Sequence, residues 1–419
     1  MPFPHTLRLI AALAIVLSSH EILASDLTNT NSATSAIVPT QAAVSKPIVS
    51  TPVISGTAPW AYQSVPGWGM SSGKFPGPTH GGVAIGHDGL IYASTDNAKG
   101  ILVFQPDGTL VKSIAPECKG CHSLILREEN GKEYLYAAHL LGNRAVKLTT
   151  DGTIVWTITT PMETGLYDPP APPATPPSNS LCPYSGKPVD PAFSTTTKGV
   201  KVCFCCAKCL EKFTTHPETQ AAVIVKLGLK APPSPRMFRP TSVTVAPDGS
   251  VFVADGYGAS VIHRYSPDLK YLGTIKEAGG LRLKCPHCVM VDTRTATPTL
   301  LVCDRANKRI IRLKLDGSFL EVIAKDLPLP STLAVFGDTT AVTELQGRVD
   351  LLDKNGQILS SLGENLNKKQ GGNYGVPPEA WQEGIFNAPH GICFDTNGNL
   401  FVTDWNRWGR ITRLNRIAQ

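Results

Sequence analysis

Ala388-PHGICFDTNGNLFVTDWNRWGRITRL-Asn415 is one of three closely matching stretches in this chain. The other two are Arg239-PTSVTVAPDGSVFVADGYGASVIHRY-Ser266 and Cys285-PHCVMVDTRTATPTLLVCDRANKRIIRL-Lys314. Each runs Pro, one variable residue, an apolar-rich run, a polar turn, a second apolar run closing on Asp, another turn, then Arg and more apolar residues. Apolar residues alternating between Gly, Asn and Asp turns mark antiparallel strands. Pro240 and Pro286 are 46 residues apart, and Pro286 and Pro389 are 103 apart, so one more unit fits between the last two. Self-similarity at a period of roughly 40–50 residues is the mark of a propeller or another repeat array.

Working outward, weaker copies occupy 80–114, 122–158 and 330–362, and the last unit runs from Pro389 to the C-terminus. The expected fold is all-β, a six-bladed β-propeller with four strands per blade. The last unit lacks an outermost strand after Arg416. The segment 60–68 (WAYQSVPGW) is placed to supply it and close the ring, which removes exposed sheet edges.

The 419 residues are 42% hydrophobic, enough for a sizeable core, and the 37 Gly and 35 Pro suit many tight turns. A net charge of +6 is spread along the strands with no basic, aromatic-interleaved run, which argues against nucleic acid as a partner. Residues 1–24 read as a signal peptide, with positive charge from Arg8 and the N-terminus, an apolar run over 7–17, and Ile22-Leu23-Ala24 before the cleavage point. A secreted or periplasmic protein is therefore expected, with no membrane span after cleavage; an N-terminal anchor is the competing reading. Residues 25–58, rich in Ser, Thr, Ala, Val and Pro, read as a flexible linker.

The domain plan that follows has blades 1 and 2 with the closing strand at 59–160 and a Pro-rich linker at 161–180. A Cys-rich insert then occupies 181–218, a second linker 219–237, and blades 3 to 6 fill 238–419.

His122, His287 and His390 fall at one point of blades two, four and six, the residue entering the innermost strand. Alternate blades of a six-fold ring lie about 120° apart, so three imidazoles converge on the axis. Neutral imidazole nitrogens suit zinc, with a fourth position open to water or substrate. The other blades carry Gly81, Thr241 and Ser331 there.

Phrases such as DRANKRI, GVPPEAW and APHGICFD resemble the NHL-repeat family, which carries Pro-x-Gly-Ile-Ala-Val-Asp and Gly-Asn-Ile-Tyr-Val-Ala-Asp segments. The resemblance spans most of 79–416. The histidine placement is similar to that of peptidyl-alpha-hydroxyglycine alpha-amidating lyases, six-bladed propellers with a central three-His zinc site that split a carbinolamide into an amide and glyoxylate. That resemblance implies a catalytic role for Tyr257, in Asp255-Gly256-Tyr257, as a low-pKa base. It also implies one for Arg305, in Asp304-Arg305, as a carboxylate clamp. Two departures stand beside it. The lyases' first-blade Arg has no counterpart in Ser94-Thr95-Asp96-Asn97, and Gly391 replaces the acidic residue that follows their last His.

Of the 11 Cys, five lie in the insert: Cys182, Cys203, Cys205, Cys206 and Cys209. A unit of about 40 residues has too little core to fold unaided, so metal or disulfides must staple it. The order of cysteines resembles YHS and TRASH-type modules. By that match Cys182, Cys205 and Cys209 are thiolate ligands for zinc or copper, with Cys206 or Cys203 as the fourth and Ser185 where a Cys is usual. His216 reads as a surface residue. Cys118-Lys119-Gly120-Cys121-His122 is formally a c-type haem motif, but it competes with His122 as a zinc ligand, and zinc is preferred. Cys118, Cys121, Cys285 and Cys288 are expected at one mouth of the ring, as disulfides or soft-metal ligands, and Cys303 and Cys393 in buried strands.

The leading expectation is an exported propeller with zinc on its axis, doing lyase-like or hydrolytic chemistry on a small-molecule or peptide substrate. The alternative is a non-enzymatic scaffold whose Cys module senses or delivers metal, with a protein partner. A c-type haem protein is the second alternative.

Overall fold

The computed structural model describes residues 51–70, 75–168, 179–197, 200–228 and 236–417. The expected signal peptide and most of the 25–58 linker lie outside them. The described chain forms a six-bladed β-propeller. Its innermost strands are Thr79–Ile85, Cys121–Glu129, Ser242–Val245, Pro286–Asp292, Pro330–Phe336 and Pro389–Phe394. Blades 1 to 5 are four-stranded meanders in sequence order. The sixth is closed by the N-terminal segment: Tyr62–Ser64 pairs antiparallel with Arg410–Arg416, with Tyr62 opposite Arg416. Ile54–Ser55 adds a fifth strand outside it, so the chain is already sheet at a point read as linker.

The alternating apolar residues face sideways, between blades. Each neighbouring pair of blades encloses its own apolar cluster, such as Ile101, Val103, Leu135 and Val146 between blades 1 and 2. The closing wedge is Trp68, whose ring lies 5.4 Å from Phe104 of blade 1 and 5.1 Å from Phe401 of blade 6. Its Nε1 donates to the Pro106 carbonyl at 3.0 Å, so the one polar atom of this wedge is satisfied.

The repeated Asp has a structural duty. At the end of the second strand its carboxylate accepts from backbone N–H groups just ahead of the innermost strand. Asp255 takes Arg239 N at 2.6 Å, Asp304 takes Lys284 N at 2.8 Å, and Asp404 takes Ala388 N at 2.7 Å. Blades 3, 4 and 6 thereby fix the point at which the chain reaches the axis.

Blade 5 carries a different acid at this place. Its residue is Glu344, fully buried, with neither carboxylate oxygen hydrogen-bonded. Burial, reinforced by Asp350 and opposed by Arg348, pushes Glu344 up to about 9. The folded protein then keeps a proton that the unfolded chain releases near the ordinary value of 4.5. That stabilising proton is fully held below pH 4.5, and its contribution is lost as pH rises through about 9, at up to about 1.4 kcal/mol per pH unit. Glu344→Gln is expected to raise the unfolding midpoint, by an amount that grows between pH 5 and pH 8.5. A pH-independent difference in denaturant melts would contradict the assignment.

The insert is a hairpin of Asp190–Thr197 and Val200–Phe204 followed by α1 (Ala207–Thr215) and α2 (Pro217–Lys226). Helix α2 lies in the stretch read as linker from 219 onward. It is helical because Val223 joins Val202, Phe204 and Phe213 in the insert's own core. Residues 161–168, also read as linker, pack on the propeller instead: Tyr167 is buried and its hydroxyl donates to Asp255 Oδ2 at 2.7 Å. The insert leaves through a closed neck. Asp168 N donates to the Arg236 carbonyl at 3.1 Å, and Arg236 N donates back to Asp168 Oδ2 at 2.6 Å.

Candidate metal centre

His122, His287 and His390 meet on the propeller axis. Their ring centroids are 4.5 Å (His122–His287), 4.7 Å (His122–His390) and 4.7 Å (His287–His390) apart. All three are at most 2% exposed. Each occupies a one-residue bulge at the start of its innermost strand, and the bulge turns the ring inward.

The protonation state follows from the partners. His122 Nδ1 lies 2.7 Å from the Thr241 carbonyl, and His287 Nδ1 lies 2.7 Å from the Ser331 carbonyl. A carbonyl only accepts, so both Nδ1 atoms carry the proton. Burial, with repulsion from neighbouring cationic groups, holds all three imidazoles well below the usual His range, so they are neutral. The lone pair of His122 and of His287 is therefore on Nε2. Hydrogen bonds behind a ligand that fix its tautomer in this way are typical of metal sites.

Both Nε2 atoms face the Tyr257 hydroxyl, at 3.3 Å from His122 and 3.0 Å from His287. That hydroxyl accepts from Arg305 Nη1 at 3.0 Å. Burial pushes the Tyr257 phenol up while Arg305 pulls it down, and the net direction is up. The protein groups alone thus move Tyr257 in the direction opposite to that of the low-pKa base expected of it. Arg305 is buried, and among the described residues no carboxylate pairs with it. Arg239, which the sequence reading passed over, adds a second cation beside Tyr257. Its backbone joins it to the same site: Tyr257 N donates to the Arg239 carbonyl at 3.4 Å.

A fourth imidazole was also missed. His80 stands with its ring 4.8 Å from His122 and 5.3 Å from His390. One donor atom each of His80, His122 and His390 lie within 4.8 Å of one another. Gly81 next to it is the true counterpart of Thr241 and Ser331. A Cβ there would sit 2.3 Å from both the His122 carbonyl oxygen and His390 Nδ1. Gly81→Ala is expected to destabilise the fold by about 1–3 kcal/mol, because neither a backbone oxygen nor a buried ring can yield. Thermal melts check this.

The ligand chemistry fits a metal at the axis. Donor atoms of His80, His122 and His390 cluster within 4.8 Å, the Nε2 atoms of His122 and His287 meet at the Tyr257 hydroxyl, and His390 Nδ1 is buried without a hydrogen-bond partner. The insert fits one too. Cys182, Cys205 and Cys209 place their sulfurs within 4.8 Å of one another. Burial alone would raise Cys182, but hydrogen bonds from Ser185 and from the backbone of Cys205, Ser185 and Tyr184 outweigh it and bring the thiol to about 6. Burial and the neighbouring thiols push Cys209 the other way, to about 12. Sulfurs this close cannot all ionise without a cation among them. Cys206 Sγ lies 3.8 Å from Cys205 Sγ, whereas Cys203 is fully buried and its backbone N–H donates to Asn179 Oδ1. Ser185 Oγ is 3.1 Å from Cys205 Sγ, where the resemblance expects a Cys.

The remaining cysteines sort differently from expectation. Cys118 hydrogen-bonds Cys121, and Cys288 pairs with its cross-strand neighbour Cys303 rather than with Cys285. Cys118 and Cys121 are packed inside the blade 1–blade 2 cluster, which leaves their sulfurs no open face for a porphyrin. Cys303 is fully buried, and Cys393 is partly exposed.

Comparison with known proteins agrees with this architecture. The Teneurin NHL domain pattern matches residues 231–414, the stretch that holds blades 3 to 6. The chain is a six-bladed propeller, and its residues 231–414 match an NHL-domain pattern. A curated relative, peptidyl-alpha-hydroxyglycine alpha-amidating lyase 2 of Drosophila melanogaster, is 28% identical over 176 residues. The match covers 40% of this chain and 39% of that protein, so the chain spans about two fifths of the length of the curated relative it matches. Among solved structures, a gluconolactonase from Xanthomonas campestris superposes with a TM-score of 0.50 at 12% identity, covering 88% of this chain and 96% of that one. Virginiamycin B lyase from Staphylococcus aureus gives 0.45 at 15% identity, covering 81% and 95%. At such identities the solved structures speak to the fold alone.

Proposed function

We propose that this protein is an exported, metal-dependent lyase acting on a small or peptide-derived substrate that carries a carboxylate. His122, His287 and His390 would hold zinc, and the insert's cysteines a second ion, zinc or copper. The observation that carries the reading is the Tyr257 hydroxyl, bridging two axial imidazoles to a buried guanidinium that has no carboxylate partner among the described residues. A buried, unpaired cation calls for an anion, and a planar guanidinium grips a carboxylate in two-point fashion. Arg239 adds to the attraction. The weak similarity to the amidating lyase points the same way.

A bound divalent ion would polarise a substrate oxygen or lower the pKa of bound water. The chain's own residues would do the rest. Arg305 orients the carboxylate. Tyr257 holds a proton beside the reacting centre, placed to hand it to a leaving nitrogen. The buried imidazoles keep bulk water from the floor of the site. For an N-acyl-α-hydroxyglycine, the carbon–nitrogen bond breaks, the hydroxyl loses its proton, and the nitrogen gains one. The products are an amide and glyoxylate.

Export rests on the leader-like residues 7–24, and among the described residues no helix is long and apolar enough to cross a membrane. The test is metal analysis of the full chain together with glyoxylate release from an N-acyl-α-hydroxyglycine. An axial ion without turnover would leave the scaffold reading in place. Metal confined to the insert would remove the enzyme reading altogether.

A further inference from the structure

We propose that His80 is a fourth metal ligand at the propeller axis, oriented by Asp96; this rests on the axial-metal reading above. From Pro240 to the Asp248-Gly249 turn is eight residues, and from Pro389 to Asn397-Gly398 is also eight. From Thr79 to Asp88-Gly89 is nine. Blade 1 therefore carries one extra residue in its innermost strand.

The pairing shows where it goes. In blades 2, 4 and 6 the ladder skips one residue, the axial His. In blade 1 it runs from Thr79 opposite Thr95 directly to Val83 opposite Ala93, a wider bulge. Gly81 keeps the axial place, and His80 is the insertion. Bulges commonly serve to re-aim a side chain beside a functional site. The wider bulge has a second effect: no carbonyl reaches His390 Nδ1, although Thr241 and Ser331 serve His122 and His287 in that way.

His80 is held as a ligand would be. Its Nδ1 lies 2.8 Å from Asp96 Oδ1, and Asp96 N is tied to the Pro78 carbonyl at 3.1 Å. With Nδ1–H donated to the carboxylate, Nε2 presents its lone pair, the carboxylate–histidine arrangement found behind many metal ligands. Its donor atom shares the 4.8 Å cluster with those of His122 and His390. The His80 side chain is 13% exposed, against at most 2% for the other three residues, so it is the ligand nearest solvent. Four imidazole nitrogens suit a first-row divalent ion that keeps a further position for water or substrate.

The experiment loads the full-length protein with Co²⁺ and with Zn²⁺ and compares it with His80→Ala, Asp96→Asn and His122→Ala. Affinity is read by chelator competition, and the cobalt visible bands are read as differences between proteins, so that the insert's contribution cancels. Expected results are a weakening of at least about 10- to 100-fold for His80→Ala, a smaller one for Asp96→Asn, and a changed cobalt spectrum in both. His80→Gln, with near-UV circular dichroism as a fold check, covers the case in which the alanine variant does not fold. Unchanged affinity and a flat difference spectrum in the His80 variants, while His122→Ala still loses one ion, overturn the fourth ligand and leave the axial metal standing. If His122→Ala loses no ion, the axial-metal reading fails and His80 falls with it.

Discussion

Alanine at His122 is expected to remove one equivalent of divalent metal from the full-length protein and to leave the propeller folded. Even a hydrogen-bonding residue behind a ligand is worth about 10- to 100-fold in metal affinity, so losing a ligand should cost more than about 100-fold. The stability cost should be smaller, about 1–3 kcal/mol, because the Thr241 carbonyl loses its buried donor. The check is metal content by elemental analysis beside a thermal melt. Full metal content in the variant would sink the axial site, since His122 makes centroid contacts under 5 Å with His80, His287 and His390.

The second large effect is expected in the insert. Replacing Cys205 and Cys209 by serine, or adding a strong chelator, should unfold 181–226 and spare the propeller. The insert's core is a handful of side chains, Val202, Phe204, Phe213 and Val223 among them. Such a small core falls short of the ordering entropy of its chain. Structural zinc supplies about 10–16 kcal/mol in comparable minidomains. Limited proteolysis should then cut within 181–226, while the blades resist. Protection of that segment in the presence of chelator would show that the insert stands without metal.

The two effects should be separable. The axial imidazoles sit on strands braced by apolar clusters on both sides of each blade, so losing a metal there removes a ligand site and leaves its support. In the insert the sulfurs are part of the packing itself, with Cys182 among the buried core residues.

Much of the fold was readable along the chain. The second-strand Asp of blades 3, 4 and 6 is local in sequence to the backbone it staples, so its repeat announces each blade. The three axial His could be placed for the same reason, because all three hold the same place, one step into the innermost strand of their blades. The closing strand was readable as an alternating segment with no partner of its own.

Other features were not legible, for identifiable reasons. His80 was hidden by one extra residue: with strict repeat alignment, Gly81 takes the axial position and His80 falls outside it. Counting from Thr79 to the Asp88-Gly89 turn was the signal that could have found it. Helix α2 was missed because its apolar residues serve a core of only a few side chains. Arg239 was passed over as the residue before a repeat's Pro, a place where nothing local marks a functional role.

What the sequence determined by itself is the number of blades, the axial register of His122, His287 and His390, and the existence of a thiol-bearing insert; each follows from spacing, and spacing is a local property. Only the tertiary structure decided the rest. It set the direction of the Tyr257 shift, the lack of a carboxylate beside Arg305 among the described residues, the pairing of Cys288 with Cys303, and the place of His80 beside His122 and His390. Those depend on burial and on which groups approach across blades, and neither is settled until the ring closes.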